Sequence, residues 1–282
     1  MAVSAGTPAK HGAGVDDLVE LDPDHPGFRD PVYRARRNEI ARIALSYAPG
    51  DPVPRIAYTD AEHAVWRMVR EKLAPVHERY ACRAYKQSCA LLPLDGAQIP
   101  QLADVNAILQ PRTGFRMIPV AGLVTSRTFL TNLGERSFLA TQYIRHASRP
   151  LYTPEPDVVH ELLGHAASFS HPTLARLNRV FGEAAARASD AMITVLERLY
   201  WYTAEFGLVD EDGGPKAYGA GLLSSFGELG RFEASVTIEP FDPDAAAARP
   251  YDPTDYQSTL YVVPSLDEVT SVIERWLAAQ IR

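Results

Sequence analysis

Two histidines five residues apart constrain this chain more than any other feature. They lie in Pro156-Asp157-Val158-Val159-His160-Glu161-Leu162-Leu163-Gly164-His165. Imidazole is the commonest side-chain ligand for transition metals. A zinc-protease helix would need His-Glu-x-x-His, which sets both rings one turn apart on one face. Here Gly164 occupies the place of that second histidine, and the second ring comes one residue later. On an ideal α-helix, residues i and i+5 diverge by roughly 140° around the axis. Both rings reach one ion only if the helix carries a π-bulge or His165 lies just past its end, and Gly164 permits either distortion. The bland alternative is two unrelated histidines in a core helix.

A third ligand is available in Leu199-Tyr200-Trp201-Tyr202-Thr203-Ala204-Glu205-Phe206-Gly207. Glu205 stands in a run of aromatic and aliphatic residues of the kind that packs inside. A buried carboxylate is costly unless it is paired or metal-bound. An ion pair with Arg198 is the competing reading. Two histidines and one carboxylate form the facial triad of non-haem Fe(II) oxygenases, which leaves three coordination positions open.

Composition narrows the partners. The 282 residues carry a net charge of -7 without a basic block, which argues against nucleic acid. Two cysteines, Cys82 and Cys89, make no disulfide framework and suit a reducing cytoplasm. No apolar run reaches the roughly 18 residues a membrane span needs. Residues 1–14 are small and polar without a hydrophobic stretch and read as a disordered tail. Residues 15–282 read as one domain.

Local patterns are mainly helical. Asp30-Pro31 opens a helix to about Tyr47, and Thr59-Asp60-Ala61-Glu62 is a capping box for the next. Pro75 should kink or divide that second helix, leaving a segment from Val76 to about Leu91 with both cysteines. Pro100 opens another helix. Phe115 to Val124 is punctuated by Pro119 and reads as a buried loop rather than a central strand. Arg127 to Phe129 suits a short helix, and Ser137 to Ile144 a short extended segment. A helix starting at Ser189-Asp190 carries Trp201 and Glu205, and Asp210 to Gly214 forms a surface turn. Ala245 to Tyr251 reads as a loop. Val236 to Ile238 and Leu260 to Val263 are candidate strands, and Ser265-Leu266-Asp267-Glu268 caps a last helix to about Arg282. Gly219-x-Gly221 lacks the preceding strand and the Gly-Lys-Ser/Thr of a phosphate loop.

Several stretches together resemble the pterin-dependent aromatic amino acid hydroxylases. They are Leu21 to Phe28, Thr141-Gln142-Tyr143-Ile144-Arg145-His146, Tyr152-Thr153-Pro154-Glu155-Pro156-Asp157, His160 to His165, Tyr200-Trp201 with Glu205-Phe206-Gly207, and Ala217 to Glu228. The resemblance spans nearly the whole chain and comes nearest to the phenylalanine-hydroxylating members. It implies a mainly α fold with a few short strands, a catalytic-domain basket around a mononuclear iron site. It implies Fe(II), a tetrahydropterin (tetrahydrobiopterin or a bacterial equivalent) and O2 as cosubstrate. The relatives' regulatory and oligomerisation segments have no counterpart in the pattern, so a monomer is expected.

Residue by residue, the resemblance makes His160, His165 and Glu205 the iron ligands. Arg145 holds the amino acid's carboxylate and Asp157 positions that arginine; a guanidinium fork suits a carboxylate. Thr153, Ser224 and Gly221 fall on the substrate side, and Pro156 and Trp201 wall the ring pocket. Phe129 matches the residue that stacks on the pterin, with Glu161, Val120, Val124 and Tyr200 lining the same site. Ser225 supports the iron histidines from behind. Three departures occur: Leu139 where relatives have His or Gln, Val124 where they have Leu, and Ala166-Ala167-Ser168 where a proline-containing segment is usual. The expected reaction is hydroxylation of L-phenylalanine, para to give tyrosine. Meta-hydroxylation and a tryptophan substrate are the alternatives within the family. A zinc hydrolase with Glu161 as base and a non-catalytic binding protein are the rivals outside it.

Overall fold

A computed structural model describes residues 18–94 and 96–280; the tail expected over residues 1–14 lies outside them. Helix α1, Pro31–Leu45, starts where Asp30 accepts hydrogen bonds from the Val32 and Tyr33 amides, with proline at its first position. Helix α2, Asp60–Tyr80, carries the full Thr59/Glu62 capping box. Pro75 does not divide it. Both Pro75 and Glu71, whose carbonyl loses its partner, are exposed, so water satisfies the freed group. The expected segment from Val76 to Leu91 is thus the end of α2 followed by α3, Arg83–Cys89, which Cys82 caps. Both thiols are free.

Helix α4, Leu102–Thr113, leads into strand β1, Arg116–Pro119. The loop expected here is a strand after all. It pairs in parallel with β2, Ser137–Ala140, in a sheet of two strands. Both strands are edges, where a terminal proline costs no central ladder bond. Helix α5, Ser126–Gly134, lies between them in sequence.

A π-helical segment, His160–Ala166, continues into the short α6, Ala167–Phe169. Helices α7, Pro172–Ala185, and α8, Asp190–Tyr200, follow, and α8 runs into a second π segment, Trp201–Glu205. Strands β3, Leu208–Glu211, and β4, Gly214–Ala217, form a hairpin, so the expected surface turn shrinks to two residues. Next come α9, Ala220–Ser224, α10, Phe226–Leu229, and α11, Phe232–Ser235. Strand β5, Thr237–Pro240, α12, Pro243–Ala248, β6, Thr259–Val263, and α13, Leu266–Gln280, complete the fold. Part of the loop expected from Ala245 is therefore helix; the overlooked signal is Asp242-Pro243, an N-cap followed by proline. The larger sheet runs β4-β3-β6-β5.

The core is continuous from α2 to α13, and both π segments lie within it. Gly164 is the contact point between the first π segment and α9: a Cβ there would meet the Ala220 carbonyl oxygen at 2.6 Å. On helix propensity alone, Gly→Ala would gain about 1 kcal/mol. The backbone clash reverses that sign, so Gly164→Ala is expected to destabilise by about 1–3 kcal/mol in a denaturant titration. A gain in stability would show that the two elements are not in tight contact.

Candidate metal centre and substrate cavity

The two π segments meet at the predicted ligands. A π turn closes i→i+5 rather than i→i+4, which brings a residue five positions on back over the first. His165 and His160 accordingly point Nε2 atoms at each other, 3.0 Å apart. Glu205 ends the second segment, where the Phe206 amide donates back to the Trp201 carbonyl, 2.9 Å away. Its Oε1 lies 3.1 Å from His165 Nε2 and its Oε2 3.9 Å from His160 Nε2. Arg198, the competing partner, instead donates to the Ala247 carbonyl.

Proton placement decides what this cluster is for. The Ser224 hydroxyl donates to the Gly221 carbonyl at 3.1 Å, so toward His160 Nδ1, 2.9 Å away, it must accept. His160 is therefore protonated on Nδ1 and directs a lone pair from Nε2 at the cluster. Burial, then the neighbouring His165, push the pKa of His160 down to about 3, keeping it neutral. Burial alone would raise the Glu205 carboxyl; His165 and His160 outweigh it and hold it at about 2. The result is a fully buried carboxylate whose two oxygens make no hydrogen bond, facing imidazole nitrogens. A buried charge left so would cost several kcal/mol. A divalent cation ligated by all three satisfies it, and among the described residues this is the one group of three or more His, Cys, Asp or Glu residues placed to hold a metal. Gly221 keeps the space clear, since a Cβ there would meet Glu205 Oε2 at 3.0 Å and the Phe206 ring at 2.8 Å.

The serine that touches a ligand histidine is thus Ser224, not Ser225. Ser224 closes α9 facing His160, whereas Ser225 is extended, lines the cavity and bonds toward Glu228. Glu161, the base of the rival hydrolase reading, is anchored by Thr141. Its Oε1 accepts from the Thr141 amide and hydroxyl, at 3.0 and 2.9 Å, and burial pushes its pKa up to about 7.

A cavity of about 300 Å³ opens beside His160. Of the predicted substrate residues, Arg145, Thr153, Pro156, Trp201, Gly221 and Ser224 line it. Asp157 stands behind Arg145 and accepts from its backbone N–H, Nε and Nη2 at 2.7, 2.8 and 2.7 Å. Burial opposes ionisation of Asp157, but Arg145 outweighs it and holds the carboxyl below its usual range. The guanidinium Nη1 takes part in none of these bonds. The predicted pterin residues do not line the cavity. Phe129 and Tyr200 meet edge-to-face at 5.5 Å, and Phe138, which packs on His165, contacts Phe129 at 5.6 Å. Val120 and Val124 lie half-buried on the chain leading from β1 to α5. The reading of the sequence missed Leu123, Tyr152, Phe206 and the rim from Pro253 to Tyr256, which line the cavity too. Only the Asp252-Pro253-Thr254-Asp255 turn composition marks that rim, and it says nothing of what the rim faces.

Comparison with known proteins decides the family. The model of the biopterin-dependent aromatic amino acid hydroxylases matches residues 15–282. The chain belongs to that family. It is 47% identical to a canine tyrosine 3-monooxygenase over 91% of this chain, and 44% identical to human phenylalanine-4-hydroxylase over 92%. It spans 53% and 59% of those two relatives' lengths. Among solved structures it resembles phenylalanine hydroxylase from Chromobacterium violaceum with bound iron(III) and 7,8-dihydrobiopterin. That match has a TM-score of 0.76 at 27% identity, covering 86% of this chain and 91% of that one. The cold-active phenylalanine hydroxylase of Colwellia psychrerythraea matches with a TM-score of 0.74 at 29% identity, covering 80% and 90%. The mainly helical basket of this family of hydroxylases is thus the fold described above. The zinc-hydrolase and binding-protein rivals fall away as family assignments.

Proposed function

We propose that the chain is a cytoplasmic, monomeric monooxygenase that hydroxylates the ring of L-phenylalanine, para to its side chain. One observation carries this reading: His160, the candidate metal ligand, and the guanidinium of Arg145 share one cavity walled by Pro156, Trp201 and Phe206. His160, His165 and Glu205 would hold Fe(II). Phe129, Tyr200, Glu161, Val120 and Val124 are the residues proposed for the pterin, and Ser224 keeps His160 in its ligating tautomer. The chemistry supplied by Fe(II) and a tetrahydropterin is the reductive activation of O2 that delivers one oxygen atom to the ring.

The chain's own residues bind and orient. Arg145 pairs with the amino acid's carboxylate while Asp157 fixes the fork's plane. Thr153, Gly221 and Ser224 flank the amino acid's backbone. Trp201 and Pro156 exclude water around the ring and set which carbon faces the metal. Holding reactants in such a near-attack arrangement supplies much of a barrier reduction without a protein acid or base.

Tyrosine as substrate is the second reading, favoured by the similarity to tyrosine 3-monooxygenases. Incubation with Fe(II), a tetrahydropterin and each aromatic amino acid, with products resolved against authentic isomers, tests both. A dominant para-tyrosine peak from phenylalanine is the expected result. A meta-tyrosine peak, or product only from tyrosine or tryptophan, would overturn it. Trp201→Phe is expected to narrow the preference for phenylalanine over tryptophan by about ten-fold, since enlarging an apolar pocket is worth roughly 1–3 kcal/mol. The kcat/KM ratio for the two substrates measures it.

A further inference from the structure

Trp201 is held from behind by a residue that does not line the cavity. Its indole N–H donates to Gln257 Oε1 at 2.8 Å. Gln257 is 8% exposed, and its Nε2 donates to the carbonyls of Asp252 and Asp255, both at 3.0 Å. Its backbone N–H donates to Glu228 Oε1 at 2.9 Å. The amide orientation is therefore fixed by chemistry: only its oxygen can accept from the indole, and only its nitrogen can serve two carbonyls. Tyr251 stacks on the indole at 4.1 Å with its hydroxyl bonded to Glu197, so the ring is clamped on its face as well as its edge. Pro253, Thr254, Asp255 and Tyr256, the segment Gln257 gathers, form the rim of the same cavity.

The geometry points to Gln257 as a positioning residue. It joins the indole wall and the rim Pro253–Tyr256 into one unit, and so sets where the substrate ring rests relative to His160. This rests on reading the cavity as an aromatic amino acid pocket. A ring displaced by about 1 Å changes which carbon reacts and costs about a hundred-fold in rate. A fully satisfied buried amide is the device that prevents such drift.

Two variants separate this role from simple stabilisation. Gln257→Leu keeps the volume but removes the acceptor and both donors. Gln257→Glu keeps an acceptor for the indole but turns an oxygen toward the two rim carbonyls. For Gln257→Leu we expect unchanged metal stoichiometry and about five-fold weaker phenylalanine binding by calorimetry, because the indole wall and the rim are no longer tied together. We also expect less hydroxylated product per tetrahydropterin oxidised, and a several-fold rise in the minor ring isomer. For Gln257→Glu we expect weaker binding with the wild-type isomer ratio. A folded Gln257→Leu protein with wild-type affinity, coupling and isomer ratio would overturn the proposal. If that variant does not fold, wild-type binding by Gln257→Glu overturns it instead. Should the wild type prefer another aromatic amino acid, only the substrate assignment fails, and the same comparison is run with that amino acid. A wild type that hydroxylates none overturns both.

Discussion

Glu205→Ala is expected to abolish hydroxylation and to reduce Fe(II) binding to a small fraction of one equivalent. His160→Ala and His165→Ala should do the same, because a triad of two histidines and a carboxylate has no spare ligand. The three losses differ in physical origin. Without Glu205, the triad loses its only carboxylate and keeps two imidazoles, a donor set without charge to offset a dication. Without His165, Glu205 is a buried carboxyl that has lost its 3.1 Å neighbour and the main influence opposing burial. That variant should therefore also unfold at lower denaturant concentration, and a metal-loaded wild type widens the difference. Iron stoichiometry by metal analysis, beside turnover, checks the assignment. Full activity in any one variant removes that residue from the ligand set.

Arg145→Lys comes next in size. Lysine keeps the charge but has no planar fork, so it cannot both serve Asp157 through two nitrogens and offer a further N–H to a substrate carboxylate. Loss of one charge-assisted hydrogen bond of ~1.5–3 kcal/mol raises KM by roughly ten-fold or more, with a smaller change in kcat. Protonation does not confuse the measurement. Arg145 holds the folded-state pKa of Asp157 below its unfolded value, so the pair's stabilising contribution is present at neutral pH. It is lost only as pH falls through the depressed value. An unchanged KM would show that the carboxylate binds elsewhere.

The metal site was legible where chemistry over-determined it. His160 and His165 cannot share an ion on a regular helix, so the spacing called for either a π-bulge or a helix end before His165, and the structure contains the first. The second π segment was not legible. Nothing in Trp201 to Glu205 demands it, since Glu205 could have reached the cluster from an α-helix of different tilt. The two adjacent serines show the same limit at finer scale. Ser224 and Ser225 are chemically identical, and only the place where α9 stops decides which hydroxyl meets His160. Capping signals translated directly, at Asp30, Thr59 and Ser189, because they act within a few residues. Pro75 and Pro119 misled because their cost depends on exposure and on sheet edges, which are tertiary facts. The rim and Gln257 were illegible for a like reason: 56 residues separate Gln257 from the indole it serves.

The paired π segments also bear on how this centre can be damaged. All three ligands sit on turns one residue wider than an α-helix would make. The angular agreement among them is therefore written in chain length, not in side-chain identity. Substituting a neighbour leaves that phase intact, whereas dropping or adding a single residue upstream in either segment rotates a ligand by about 100°. Substitutions around the centre act through packing, as at Gly164, whereas frame-preserving insertions and deletions act on the ligand geometry itself. The two kinds of sequence variation carry quite different weight over His160–Ala166 and Trp201–Glu205.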